Sequence, residues 1–144
     1  MENTCNFDLM VLEKDPAYLT GYFQSEKYFG DIKEEVRSFF YNEKYIGIVY
    51  DNVEIDNSWH IKVMDMRGKT VMENETSLAY DNIEFLSGNE ICVTNATQCE
   101  IFTRHSIKKF FYEFDKELYK VFGSGDGQNY TFIFKDTIEE VKLR

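Results

Sequence analysis

The chain has 144 residues, 43% of them hydrophobic and 17% aromatic, with 26 acidic against 16 basic residues and a formal charge of −10. That length is one domain's worth and can bury roughly 68–70% of its extended surface, and the hydrophobic and aromatic content argues against disorder. The acidic balance argues against a nucleic-acid surface, which needs clustered Lys and Arg, and a single Pro excludes a Pro-rich stalk.

In chain order, a short apolar run, Phe7 to Leu12, reads as a strand. Asp15-Pro16 then offers an N-cap followed by Pro at the first helical position. Tyr28, Ile32, Val36 and Phe40 recur every four residues, with charged residues on the other face, which predicts a helix over about 26–38. Beyond residue 38 the pattern changes to strands and turns. After Phe39-Phe40-Tyr41, Tyr45 to Tyr50 is a β-rich run, Trp59 to Met66 alternates up to the turn Arg67-Gly68-Lys69, and Thr70 to Met72 starts the return strand. Ile83 to Leu86, Glu90 to Thr94, Gln98 to Thr103 and Lys108 to Phe114 form a second set. Tyr119 to Phe122, Tyr130 to Phe134 and Ile138 to Leu143 form a third.

Aligned on one another, these are two four-strand units and one three-strand unit. "FFYNEKYIGIVYDN", "IEFLSGNEICVTN" and "VFGSGDGQNYTFIFKD" correspond, at a spacing of about 40 residues. The expected fold is mainly β (α+β overall): a partial β-propeller-like stack of antiparallel four-strand meanders behind an N-terminal helical segment. The expected boundaries are 1–38 for that segment and 39–78, 79–118 and 119–144 for the blades. Two and three-quarter blades leave sheet edges open. Phe7 to Leu12 could pair with the last sheet while the helix covers an apolar face, or copies could assemble.

No chemical site stands out. Asp51, Asp56, Asp65 and Asp81 read as turn acids, and no G-x-S-x-G nucleophile elbow is present. Gly123-Ser124-Gly125-Asp126-Gly127 lacks the Lys-Ser/Thr ending of a phosphate loop and reads as a hairpin loop. Cys92 and Cys99 flank a turn and could approach each other. With Cys5 they make an odd, sparse set, and His60 and His105 complete no ligand cluster. Trp59 reads as core. Asn74-Glu75-Thr76, Asn95-Ala96-Thr97 and Asn129-Tyr130-Thr131 fit the glycosylation triplet but read as turn chemistry. No catalytic residue, cofactor or metal is therefore expected. The absence of a leader or an 18-residue apolar run predicts a soluble, cytoplasmic-type chain.

Two resemblances complete the reading. Phe40-Tyr41-Asn42-Glu43-Lys44-Tyr45-Ile46-Gly47, "VMDMRGKTV", "CEIF", "FDKELYKVF" and the terminal "IEEVKLR" resemble the C-terminal blades of an uncharacterised family from Clostridia-like bacteria. That family looks like a membrane-anchored, extracytoplasmic β-propeller, so the resemblance implies a fold without an activity. "YLTGYFQSEKYFGDIKEEVRSFF", Tyr18 to Phe40, resembles a segment of bacterial α-1,2-fucosyltransferases. The donor-binding His-x-Arg-Arg-Gly-Asp-Tyr motif of those enzymes has no counterpart here; the nearest pair is Arg67-Gly68. The resulting expectation is a non-catalytic interaction module, not an enzyme. Its partners would be a protein or a second copy at open sheet edges, or a glycan, and not nucleic acid. The alternatives are a truncated, inactive fucosyltransferase-like fragment and a carbohydrate-binding module.

Overall fold

In the computed structural model, residues 35–143 are described, and they fall in the second of the two units into which the chain divides, Asp31–Arg144. Eleven strands build three antiparallel sheets, each a meander of sequence neighbours. The first sheet holds β1 (Val36–Tyr41), β2 (Tyr45–Asp51), β3 (Trp59–Asp65) and β4 (Thr70–Thr76) in that order. The second holds β5 (Asn82–Phe85), β6 (Ile91–Thr94), β7 (Gln98–Phe102) and β8 (Lys108–Glu113). The third holds β9 (Leu118–Gly123), β10 (Asn129–Phe134) and β11 (Ile138–Lys142).

One expectation is corrected. Val36 to Ser38, placed at the end of the helix over 26–38, belongs to β1, where Val36 pairs with Tyr50 and Ser38 with Val49 around a bulge. Val36, Phe39 and Phe40 suit either state, and pairing with β2 decides for strand. The rest of that helix and the Phe7 to Leu12 run lie outside the described residues.

The period-2 alternation explains the layering. On β2 and β3, Val49, Ile61 and Val63 point to one buried face while His60 and Lys62 point away. Phe40 lies on the same buried face, opposite Gly47, and its ring occupies the space a Cβ at Gly47 would need. Only glycine fits there.

The second sheet differs because both faces of its inner strands, β6 and β7, are covered. Ile91, Cys92 and Val93 are consecutive and all fully buried, which an alternating one-sided strand cannot achieve. Ile83, Ile91, Val93 and Phe102 pack against Phe40, Val49, Ile61, Val63 and Met72 of the first sheet. Leu86, Cys92, Cys99 and Ile101 pack against Leu118, Val121, Tyr130, Phe132 and Phe134 of the third. Each buried Val, Ile or Phe side chain contributes about 1.5–3 kcal/mol, so the two seams hold the unit together.

The first strands of the sheets also lie side by side. Phe40 of β1 meets Phe85 of β5 with ring centroids 4.7 Å apart. Lys120 of β9 donates to Glu84 of β5 at 2.7 Å. The hairpin loops at their far ends touch as well, with Asn42 donating to Asn89 at 2.9 Å. Gly88 and Asn89 both take positive φ in that loop, a geometry these two residue types tolerate best.

Candidate functional site: a groove between the first two sheets

Where the chain crosses from the first sheet to the second, a groove of about 360 Å³ opens, lined by Arg37, Ser38, Trp59, Ala79, Tyr80 and Asp81. Its parts come from three elements. β1 supplies Arg37 and Ser38, the first residue of β3 supplies Trp59, and the connection over 77–81 supplies the rest. That connection is fixed by local bonds: Leu78 is buried, its amide donates to Thr76 Oγ1 at 3.1 Å, and Asn95 Nδ2 donates to the Ala79 carbonyl at 3.0 Å. The Asp81 amide donates to the Thr94 carbonyl at 2.8 Å.

Trp59 and Tyr80 stand edge to face, 5.9 Å apart at 89°, both partly buried. The Tyr80 hydroxyl shares a 2.6 Å hydrogen bond with Ser38 Oγ, tying the connection to β1. Arg37 is held only loosely, its Nε 3.6 Å from Asp51 with both side chains about half exposed, a pair of little strength. The groove thus offers an aromatic wall, a hydroxyl pair, a guanidinium and the Asp81 carboxylate, and its volume lies in the ~300–1,000 Å³ range of small-molecule sites. A smaller groove of about 200 Å³ lies between β5 and β9 beside the Glu84–Lys120 pair.

Two polar clusters are built into the seams. Glu100, almost wholly buried, accepts from Thr76 Oγ1 at 2.5 Å and pairs with Lys108 Nζ at 2.8 Å. Lys109 Nζ donates to Glu90 Oε2 at 2.9 Å, to the Gly127 carbonyl at 2.6 Å and to the Tyr130 hydroxyl at 2.8 Å. The Tyr130 hydroxyl in turn donates to Glu90 Oε1. Burial and the Glu90 acceptor push the Tyr130 phenol up to about 12. At Lys109 burial works against the charge, but its bonds to Tyr130 and Glu90 outweigh it and raise the pKa. Both groups keep their protons above neutrality, so neither Tyr130 nor Lys109 offers a base near pH 7, and their bonds clamp the second sheet to the third.

The residues singled out in the sequence are dispersed. Asp65 accepts from the Arg67 and Lys69 amides at 2.9 and 3.0 Å, and the Lys69 amide in particular lowers its pKa. Asp56 is exposed in the β2–β3 loop, Asp51 ends β2, and Asp81 alone reaches the groove. Asp126 closes the Gly-rich hairpin loop by accepting from Ser124 Oγ at 2.6 Å and from the Gln128 and Asn129 amides, which holds its carboxyl far below the usual range. His60 sits 3.5 Å from Glu75 on the first sheet and His105 in a loop of the second. Among the described residues no three His, Cys, Asp or Glu side chains are placed to hold a metal, and no helix is long and apolar enough to cross a membrane.

Asn95 serves its turn through bonds to the Thr97 and Gln98 amides, and Asn129 bonds Asp126. Asn74 sits within β4, its Nδ2 buried without a protein partner. Trp59, read as core, lines the groove with one side while packing on the first seam with the other. Sequence reasoning missed Tyr80, Ser38 and the Lys109–Glu90–Tyr130 cluster. Their contacts span 42, 19, 21 and 40 residues, and no local spacing signals them.

Fold and site together define an all-β domain of stacked antiparallel meanders, with a polar–aromatic groove at a sheet junction. Residues 20–143 match a family of unknown function (DUF5711), and the chain belongs to that family. The matched range begins inside the Tyr18–Phe40 stretch, so most of that stretch lies in the same family region as the strands. It singles out neither the propeller family nor the fucosyltransferases resembled above. No curated protein matches the chain.

Proposed function

We propose that this chain is a non-catalytic interaction module, built as part of a β-propeller-like stack. The observation that carries this reading is the contrast between sheets. The inner strands of the second sheet, β6 and β7, are apolar and covered on both faces, whereas the outer faces of the first and third sheets, and β8 with Phe111 and Tyr112, carry exposed apolar residues. Phe39 (64% exposed) and Tyr41 (70%) stack at 6.5 Å on the outer side of β1, and Phe122 and Ile138 stand on the outer side of the third sheet. Neighbouring first strands and sequential meanders are also what a propeller requires. A further sheet, from a protein partner or a second copy, would extend the stack on these faces. Sedimentation velocity of the whole chain over a hundredfold concentration range, with and without Phe39→Glu/Tyr41→Glu, tests this. Association lost in the variant is expected; a monomer at every concentration excludes the second copy as partner.

The groove favours a second reading, a saccharide ligand. An aromatic wall for the apolar face of a sugar, ringed by hydroxyl, guanidinium and carboxylate groups, is the chemistry such a ligand needs. Glycan-array binding that Trp59→Ala abolishes supports it, and binding unchanged by that substitution removes it.

A further inference from the structure

Cys92 on β6 and Cys99 on β7 lie on the same face of the second sheet, turned into the seam with the third. In the register Cys92 pairs with Ile101 and Thr94 with Cys99, so the two cysteines are diagonal neighbours on adjacent strands. Their sulfurs are 3.8 Å apart, both side chains are fully buried, and both thiols are free. Packing alone does not ask for two thiols here, since the surrounding positions are filled by Leu86, Ile101, Val121, Tyr130 and Phe132. A disulfide needs converging Cβ vectors and sulfurs about 2.05 Å apart. From 3.8 Å, each sulfur has to move by roughly 0.9 Å, and because diagonal neighbours on paired strands lie about 7–8 Å apart, closure needs β6 and β7 to draw together as well as a side-chain rotation.

We propose that Cys92 and Cys99 form a redox-modification site, closing to an intramolecular disulfide that clasps β6 to β7 in the second seam. The oxidant class is a low-molecular-weight disulfide such as oxidised glutathione. The thiolate of one cysteine attacks a sulfur of the oxidant, giving a mixed disulfide and one released thiol. The second cysteine then displaces the other thiol, so the pair loses two protons and two electrons while the oxidant becomes two thiols. The hydrogen bond between the thiols and their burial raise the Cys92 pKa, so attack starts from a transient opening of the seam. Once closed, the bond is shielded from reductants by the same packing.

Trypsin releases both cysteines in one peptide, residues 70–104, which excludes Cys5. The test incubates the native whole chain with oxidised glutathione, denatures it in an alkylating reagent and weighs that peptide. A second sample is refolded from denaturant in a glutathione redox buffer, so that access does not limit the reaction. The expected peptide is two hydrogens lighter than the dithiol form and carries no alkyl group, in either sample. A doubly alkylated peptide in both samples, or a persistent single glutathione adduct, overturns the proposal.

Discussion

At the residue scale, a few close approaches decide stability. Gly47 has no space for a methyl group because the Phe40 ring lies over it. Gly47→Ala is expected to cost about 1–3 kcal/mol, as overpacking does, and Gly47→Ala/Phe40→Leu to recover part of it in urea denaturation. Glu100 is held by Thr76 and Lys108 with its carboxylate out of water. Lys108→Met removes the ion-pair partner of Glu100 while the Thr76 bond remains, and because Lys108 is half exposed the cost is expected at about 1–3 kcal/mol; Glu100→Gln/Lys108→Met should be milder. Tyr130 gives a pH signature. Its folded pKa is raised to about 12, above the ordinary value of 10, so the folded state holds the proton more tightly than the unfolded one. The resulting stability is complete below pH 10 and is lost as pH rises through about 12. Lys109, also raised, acts in the same direction. Tyr130→Phe should flatten the alkaline decline seen by circular dichroism, and an unchanged decline would show that the cluster does not couple to folding.

At the element scale, hairpins were readable because their signals are local. Alternation of Ile61 and Val63 with His60 and Lys62, and turns at Gly68 and Gly88, located strands within a residue or two. The Val36–Ser38 stretch was not readable, because helical spacing and β-branched or aromatic content coincide there and only pairing with β2 separates them. The groove was not legible: Trp59 reads in sequence as core and Asp81 as a turn acid, while Tyr80 and Ser38 meet across 42 residues, a distance periodicity does not reach. The outer strands share one device. β4 carries Glu73 and Glu75, β8 Lys108 and Glu113, and β11 Glu139, Glu140 and Lys142, which discourages edge-to-edge pairing. The Asn95 side chain bonds two amides in its own turn and the Ala79 carbonyl of the inter-sheet connection. Asn95→Ala is therefore expected to cost about 1–3 kcal/mol and to raise proteolysis at residues 77–81, a site where a turn substitution without that link would have no effect.

At the scale of the whole molecule, the second sheet is the centre on which the other two depend. Neither seam survives its removal, so residues 35–143 should unfold in one cooperative transition. Val93 and Ile101 face opposite seams, and substituting either by Ala should lower that single transition by about 2–5 kcal/mol without splitting it. Among the described residues the acids lie largely in turns and on outer strands, where they keep an edge-rich β structure dispersed. Amide hydrogen exchange of the intact chain tests the stacked arrangement most directly. Protection should be greatest in Ile91–Thr94 and Gln98–Phe102, buried from both sides, and least in Ile138–Lys142 at an exposed edge. Protection in the first or third sheet equal to or above that of β6 and β7 would contradict inner strands covered on both faces.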